Sequence, residues 1–236
     1  MPSPSPADTT FQLSKHSETF DDPSLFRSIV GALQYATVTR PEISFSRKAV
    51  KRILRYLKGS LTHGIAITPS TSSTINVYCD VGWAADPDDR RSHHGFVVYY
   101  GPNLISWSSQ KQNVVARSST EAEYRAIAFV ASEELRLPCP HPPVIFYDNI
   151  SAIYLTANHV FHQRSKHIEI DYHFVREKVA CGKLCVKYIP STDQTADVFT
   201  KALSSSRFAH LRSKLTVSKP DMRLPGVLDD NDSLFA

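Results

Sequence analysis

The amino-acid sequence predicts an α/β protein with a five-stranded mixed sheet, helices on its faces and a small helical segment before it. The spacing of apolar residues is helical from Pro23 to Gly59, and from Ile75 it changes to short apolar runs bounded by turn residues. Those runs give three antiparallel-looking strands, followed by helix, strand, helix, strand and helix. This order is typical of a mixed sheet with helices packed on it.

The first part of the chain is predicted to be helical after a disordered N-terminus. Residues 1–22 are rich in Pro, Ser, Asp and Thr, and residues 23–59 form two helices separated by a break at Thr39-Arg40-Pro41. Apolar residues form one face of the second helix, at Val50, Ile53, Leu54 and Leu57. Residues 60–74, rich in Ser and Thr, are predicted to be a linker.

The second helix also carries candidate nucleic-acid-binding residues. Six basic residues and no acid lie between positions 47 and 58, which favours contact with a phosphate backbone through Lys51, Arg52, Arg55 and Lys58. A solvated helix face has the same composition, so that alternative stays open. The whole chain has 27 basic and 23 acidic residues and a net charge of +4, which fits a polyanionic partner without requiring one.

Five strands are predicted between residues 75 and 217, in the order INVYCD, GFVVYY, NLISWS, VIFYD and LCVKYIP. Gly101-Pro102 marks the turn between the second and third strands. A helix from Ser119 to about Leu135 precedes the fourth strand, and the helices NISAIYLTANH and SKHIEIDYHFVREKVA follow it. A last helix begins near Asp193, and residues 218–236 are predicted to be a flexible tail.

Four carboxylates occupy positions that this arrangement brings together. Asp80 and Asp148 end the first and fourth strands, Glu123 opens a helix, and Asp197 lies early in the last helix. A helical crossover between the two strands requires parallel pairing, so both aspartates are expected at the same end of the sheet. Converging carboxylates repel one another unless cations neutralise them, and Mg²⁺ binds through a few carboxylates together with substrate phosphates. The pattern therefore predicts a two-metal phosphodiesterase site.

Three of these acids also have a structural explanation. Thr120-x-x-Glu123 and Ser118-x-x-Glu121 both have the spacing of a capping box, so Glu121 is a second candidate for the helix ligand. Asp148 is placed to cap the helix that follows it, and Asp197 is by itself an ordinary helix acid. Spacing alone leaves these alternatives open.

Composition argues against several other classes of protein. The four cysteines form no C-x-x-C pair and no zinc-ligand spacing, which favours free thiols in a reducing compartment. No apolar run reaches the roughly 18 residues of a membrane span, and MPSPSPADTT lacks an apolar signal region. We therefore expect an intracellular protein, cytoplasmic or nuclear, that is neither embedded in a membrane nor secreted.

Three long runs of the sequence carry a family resemblance. They are DPDDRRSHHGFVVYYGPNLISWSSQKQNVVARSSTEAEYRAIA, YDNISAIYLTANHVFHQRSKHIEIDYHFVREKV and YIPSTDQTADVFTKAL. With them, residues 75–217 resemble the RNase H domain of copia-type retrotransposon Pol polyproteins. RSIVGALQYATVTRPEISF and KAVKRILRYLKGS resemble the end of the reverse transcriptase region that precedes that domain, so residues 23–59 are interpreted as its remnant.

The resemblance implies an RNase H-like fold and a ribonuclease that cuts the RNA strand of an RNA–DNA hybrid. It makes Asp80, Glu123, Asp148 and Asp197 the catalytic residues and the ligands of two Mg²⁺ ions, with Mn²⁺ as a possible substitute. One ion would activate a water and the other would stabilise the leaving 3′ oxygen. The expected partners are the hybrid and the reverse transcriptase core of the polyprotein.

The sequence also departs from the family pattern. The usual Asp-x-Asp-Trp is Asp80-Val81-Gly82-Trp83 here, and the chain looks shortened near 45–49 and 134–142. No Tyr-x-Asp-Asp turn is present, so reverse transcription is not expected. These departures favour an alternative function, that of a catalytically inactive retrotransposon relic that at most binds nucleic acid.

Overall fold

The computed structural model describes residues 2–7, 9, 22–46, 49–132, 140–157 and 169–219. The helices within these ranges are α1 Pro23–Ala36, α2 Val50–Lys58, α3 Ser119–Ser132, α4 Ile150–Ala157, α5 Glu169–Ala180 and α6 Ser205–Lys214. The strands are β1 Gly64–Ile65, β2 Ile75–Gly82, β3 His93–Tyr100, β4 Asn103–Lys111, β5 Val144–Tyr147, β6 Cys185–Tyr188 and β7 Val217–Ser218. Single 3₁₀ turns span Pro41–Ile43, Ser191–Asp193 and Thr195–Phe199.

Five of the strands form the predicted mixed sheet, in the order β4-β3-β2-β5-β6. Strands β2, β3 and β4 pair antiparallel, whereas β2 pairs with β5 and β5 with β6 in parallel. The predicted RNase H-like α/β class is thereby confirmed. Tyr78 lies opposite Phe146 in the parallel pair, so Asp80 and Asp148, two residues further along each strand direction, come to the same end of the sheet.

Apolar side chains on one face of the sheet pack against α3, α4 and α5. Val77 and Cys79 of β2 alternate with residues of the other face, and Ile127 of α3 and Tyr172 of α5 are fully buried against them. This alternation is the period-two pattern of a strand whose two faces meet different layers. The layer places the start of α3 beside the end of β2.

The second face of the sheet is covered by α1, α2, α6 and the 3₁₀ turn Thr195–Phe199. Val97 and Tyr99 of β3 form one buried cluster with Ile53 of α2 and Phe208 of α6. The N-terminal helices therefore share a core with the sheet. The predicted domain boundaries at residues 22, 59, 74 and 217 stay predictions.

A buried ion pair fixes the connection between α1 and α2. Arg40 lies 2.7 Å from Glu42 and donates to the carbonyl oxygen of Ser60 at 3.0 Å. The hydroxyl of Tyr56 donates to Glu42, and Arg212 of α6 donates to that hydroxyl. The network explains why Tyr56 is buried. The predicted apolar face of α2 is corrected at one position, because Leu54 is 44% exposed and Tyr56 is buried in its place.

The predicted last helix near Asp193 is also corrected. The chain forms two 3₁₀ turns there, and α6 begins only at Ser205. All five residues of Thr195–Phe199 are buried, more than one face of an α-helix can supply. The turn lies directly against Gly95 of β3, where an added Cβ would collide with Phe199. Because this segment is packed on all sides, it forms a 3₁₀ turn and not the α-helix that the local sequence pattern favours.

Some predictions fall outside the described residues. These are most of the N-terminus predicted to be disordered, the first two basic residues of the run at 47–58, the end of the α3 helix after Ser132, most of the shortened segment at 134–142, the parts of the next two predicted helices that fall within 158–168, and the tail beyond residue 219. Within the described ranges, no helix combines the length and the apolar character needed to cross a bilayer.

Candidate active site

Three of the four predicted acids line a single pocket of about 370 Å³. Asp80 lies near the end of β2, Asp148 directly follows β5, and Glu123 lies in the second turn of α3. Asp197 lies in the 3₁₀ turn Thr195–Phe199, outside the pocket wall. The remaining pocket residues are Val81, Asn149, Ile150, Ser151 and Lys201.

The Asp80 carboxylate is buried and held by two neighbouring donors. The hydroxyl of Thr200 donates to its Oδ2, and Nζ of Lys201 lies 3.2 Å from its Oδ1. Burial raises the pKa of Asp80, the ammonium of Lys201 opposes that rise, and the charges of Asp197 and Asp148 add to it. Ionised Asp80 is thus costly to bury and depends on its donors.

Asp197 is joined to Asp80 through the same lysine. Nζ of Lys201 lies 2.8 Å from Oδ1 of Asp197, and Nη2 of Arg207 lies 3.2 Å from its Oδ2. Arg207 also donates to the carbonyl oxygens of Ser191 and Thr192. Two cations therefore hold the buried Asp197 carboxylate, one on each oxygen.

Glu123 differs from the other acids, because its Oε2 is buried and lacks a hydrogen-bond partner in the described part of the chain. Burial, followed by repulsion from Asp148 and Asp80, raises the pKa of Glu123 from its ordinary 4.5 to about 7. Glu121, the second candidate, accepts from the backbone N–H of Arg117 and pairs with Arg125 at 3.0 Å. The capping contacts therefore belong to Glu121, and Glu123 faces the pocket.

Asp148 does not cap the helix that follows it. The side-chain oxygen of Asn149 accepts from the backbone N–H of Ala152 at 3.1 Å, which is the capping contact of α4. Asp148 instead accepts a hydrogen bond from the hydroxyl of Ser191 at 2.8 Å. The segment that follows β6 therefore orients the Asp148 carboxylate, which lines the pocket.

The sequence reasoning did not identify the residues that hold these acids: Ser191, Thr200, Lys201 and Arg207. One signal was available, since Lys201 follows Asp197 by four residues, the spacing of a side-chain ion pair within a helical turn. The contact of the same lysine with Asp80, 121 positions earlier, arises only from the tertiary fold.

The donor chemistry of the pocket fits a hard divalent cation. Its three carboxylates supply the oxygen ligands that Mg²⁺ prefers, and the orphaned Oε2 of Glu123 is a free acceptor among them. No three acidic, histidine or cysteine side chains within the described ranges are gathered tightly enough to form a ready-made ligand set.

The predicted nucleic-acid-binding residues lie on α2, apart from the pocket wall. Lys51, Arg55 and Lys58 are exposed, and Arg52 donates to the carbonyl oxygen of Ser5 at 3.2 Å. Their assignment to nucleic-acid binding stays a prediction.

Comparison with known proteins gives the chain its family. No family model matches it. It is 43% identical to the retrovirus-related Pol polyprotein from transposon RE2 of Arabidopsis thaliana over 96% of its length, and 45% identical to that from RE1 of the same plant over 84%. The chain spans only 17% and 15% of those two proteins.

A solved structure, the N-terminal RNase H domain of a Mycobacterium tuberculosis protein, aligns with a TM-score of 0.44 and 14% identity. That alignment covers 60% of this chain and 98% of the other. The strand order of the sheet defines an RNase H-like α/β protein. The chain belongs to the retrovirus-related Pol polyproteins of copia-type retrotransposons, as the sequence resemblance predicted.

The alignment with the RE2 polyprotein is 252 residues long, which exceeds the 236 residues of this chain. The relative must therefore contain segments that have no counterpart here. This agrees with a fragment that carries internal deletions, although their positions near 45–49 and 134–142 stay predictions.

Proposed function

We propose that this chain is an RNase H-type ribonuclease of a retrotransposon Pol polyprotein and cuts the RNA strand of an RNA–DNA hybrid. The observation that carries the proposal is the shared pocket of Asp80, Glu123 and Asp148, with Asp197 linked to it through Lys201. Membership of the Pol polyprotein family supports it. Because the chain spans less than a fifth of the relatives' length, its activity, substrate and partners are proposals.

Asp80, Glu123, Asp148 and Asp197 would hold two Mg²⁺ ions, or Mn²⁺ in their place. Bound there, the two ions would supply an activated water and neutralise charge on the leaving 3′ oxygen. The protein's contribution is to hold the carboxylate oxygens close together so that they can serve as ligands of the same ions. Asp80 and Asp148 do so from the ends of paired strands, which are rigid supports for a site.

Residues beside the acids keep them charged and oriented. The Thr200 hydroxyl stabilises ionised Asp80, and the Ser191 hydroxyl fixes one oxygen of Asp148. Glu123, whose pKa is about 7, changes protonation near neutral pH and takes its charged form more readily when a cation binds beside it. Each of these contacts acts on the position or the charge of a ligand.

The hybrid would also need contacts away from the reacting phosphate. The exposed Lys51, Arg55 and Lys58 are our candidates for those contacts, since basic side chains release counterions from a phosphate backbone. They would determine how strongly binding depends on salt and would leave the cleavage step unchanged. The upstream reverse transcriptase region of the polyprotein is the proposed source of further substrate contacts.

The test is cleavage of a labelled RNA–DNA hybrid by the wild type and by Asp148→Asn, in Mg²⁺, Mn²⁺ and Ca²⁺. Duplex DNA and single-stranded RNA are the substrate controls, and Asp88→Asn, on an exposed turn, is the matched protein control. We expect cutting of the hybrid by the wild type and Asp88→Asn in Mg²⁺ or Mn²⁺, and little in Ca²⁺. Equal cutting by Asp148→Asn would mean a contaminating nuclease.

A second candidate function is a relic that binds nucleic acid without cutting it. Two observations favour it: Asp80 and Asp197 are engaged with Lys201, and Gly82 stands where the family has an acid. The same experiment separates the two functions. Retention of hybrid in a mobility-shift gel, together with intact RNA in every metal, would support the relic.

A further inference from the structure

Lys201 occupies the junction between two acids that come from different parts of the fold. Its ammonium contacts Oδ1 of Asp80 at the end of β2 and Oδ1 of Asp197 in the 3₁₀ turn Thr195–Phe199. The second oxygen of each acid is already engaged, by the Thr200 hydroxyl in one case and by Arg207 in the other. The oxygens that face each other therefore share one cation, the lysine itself.

From this geometry we infer that Lys201 is an internal counter-ion that a divalent cation must displace, so that this lysine sets the metal affinity of the site. The inference rests on the proposed function, because it takes the same acids as metal ligands. It makes Lys201 a positioning residue that competes with the metal for Asp80 and Asp197.

Displacement follows from the space and charge around the two Oδ1 atoms. A magnesium ion lies about 2.0–2.1 Å from each oxygen ligand. An ammonium now lies 3.2 and 2.8 Å from those same two atoms. The metal and the ammonium would then be close neighbours of like charge, which disfavours their joint presence.

The lysine is also the cation that can leave. Its side chain is 42% exposed and ends in a flexible stem, so the ammonium can turn into solvent while the backbone stays in place. Arg207 is anchored by the carbonyl oxygens of Ser191 and Thr192 and would remain on Asp197. The arrangement thus has one exchangeable cation and one fixed cation.

Metal binding to protein without nucleic acid tests this directly, by titration calorimetry with Mg²⁺ and with Mn²⁺. We expect Lys201→Met and Lys201→Gln to bind the first ion about tenfold more tightly or better, a change of about 1.4 kcal/mol. Lys201→Arg, which keeps the charge, should stay near the wild-type affinity. Lys111→Met is the matched control. Lys111 bridges two acids in the same way, at 2.5 Å from Asp86 and 2.9 Å from Asp89, but it does not line the pocket.

Thermal unfolding supplies a second readout that does not depend on catalysis. Without metal, loss of the counter-ion should lower the melting temperature of Lys201→Gln below that of the wild type. Added Mg²⁺ should then raise the melting temperature of Lys201→Gln more than that of the wild type, because at a given concentration a ligand that binds more tightly stabilises the folded state more, with the logarithm of its affinity. If Lys201→Met does not fold, Lys201→Gln alone decides the test.

The failures of the two proposals are distinguishable. Unchanged or weaker metal binding in Lys201→Gln, with binding lost in Asp148→Asn, would overturn the counter-ion proposal but would still support the proposed metal site. Absence of metal binding in both the wild type and Lys201→Gln would overturn both. Metal binding by Lys201→Gln but not by the wild type would support the counter-ion proposal most strongly, because it would mean that Lys201 prevents the metal from binding.

Discussion

Individual carboxylates in this pocket differ in what stabilises their charge. Asp80 has a hydroxyl and an ammonium, Asp148 has a hydroxyl, and Glu123 has one buried oxygen without a partner among the described residues. Burying a charged oxygen without a donor is costly, and protonation relieves that cost. The metal-free site is consequently expected to respond to pH mainly through Glu123.

The pKa of Glu123 predicts a loss of stability as the metal-free protein is brought to neutral pH. Its folded-state pKa of about 7 exceeds the ordinary 4.5, so between these values the folded state binds more protons than the unfolded state. The free energy of unfolding must then fall as pH rises from about 4.5 to 7. Denaturant unfolding of Glu123→Gln should show a flatter profile over that window, and identical profiles would contradict the assignment.

Removal of the Thr200 hydroxyl should destabilise the protein in a pH-dependent way. Thr200→Val removes one of the two donors of ionised Asp80 and leaves only Lys201, which raises the pKa of Asp80 further, at a cost of about 1.5–3 kcal/mol in the free energy of unfolding. The cost should shrink as pH falls and Asp80 becomes protonated. Thr156→Val is the control, since its hydroxyl donates to a neutral carbonyl oxygen and its loss should cost the same at every pH.

Among the elements, the 3₁₀ turn Thr195–Phe199 determines where Thr200 and Lys201 lie. It touches β3 where Gly95 leaves room for Phe199. Gly95→Ala should push the turn outward and cost about 1–3 kcal/mol, the usual cost of overpacking. It should also weaken Mg²⁺ binding, because it moves Asp197.

Gly31→Ala is the matched control for that substitution. Gly31 lies within α1 with nothing near its added Cβ, so alanine there should stabilise the protein by about 0.4–1 kcal/mol. Equal effects of the two substitutions in thermal unfolding would show that the contact between Gly95 and Phe199 is not tight.

The same elements show which features could be predicted from the sequence. The proximity of Asp80 and Asp148 could be predicted, because the helical crossover between their strands requires parallel pairing, which places both strand ends at the same edge of the sheet. The 3₁₀ turn was predicted as a helix because the contacts that bury it come from β2, β3 and α6, which no local pattern records. Lys201 was missed for the same reason, since its second acid lies 121 positions away in the sequence.

At the scale of the whole molecule, the N-terminal helices and the sheet are expected to unfold together. They share one buried cluster, and Arg212 of α6 reaches the Tyr56 hydroxyl of α2. Arg40→Met would leave Glu42 buried without its cation, at a cost of about 3–5 kcal/mol.

That loss should move one transition seen identically by far-UV circular dichroism and by tryptophan fluorescence. Lys214→Met, which removes a surface ion pair with Asp193, should change the free energy of unfolding by less than about 1 kcal/mol. Two separate transitions, with only the earlier one shifted by Arg40→Met, would mean that the helices and the sheet are independent.

The most direct test of the account follows both strands of one hybrid during the reaction, with the RNA and the DNA carrying different dyes. The account predicts that the wild type shortens only the RNA strand, needs Mg²⁺ or Mn²⁺, leaves 3′-hydroxyl ends, and that Asp148→Asn leaves both strands intact. Folded wild-type protein that binds the hybrid and leaves the RNA whole in either metal would contradict it.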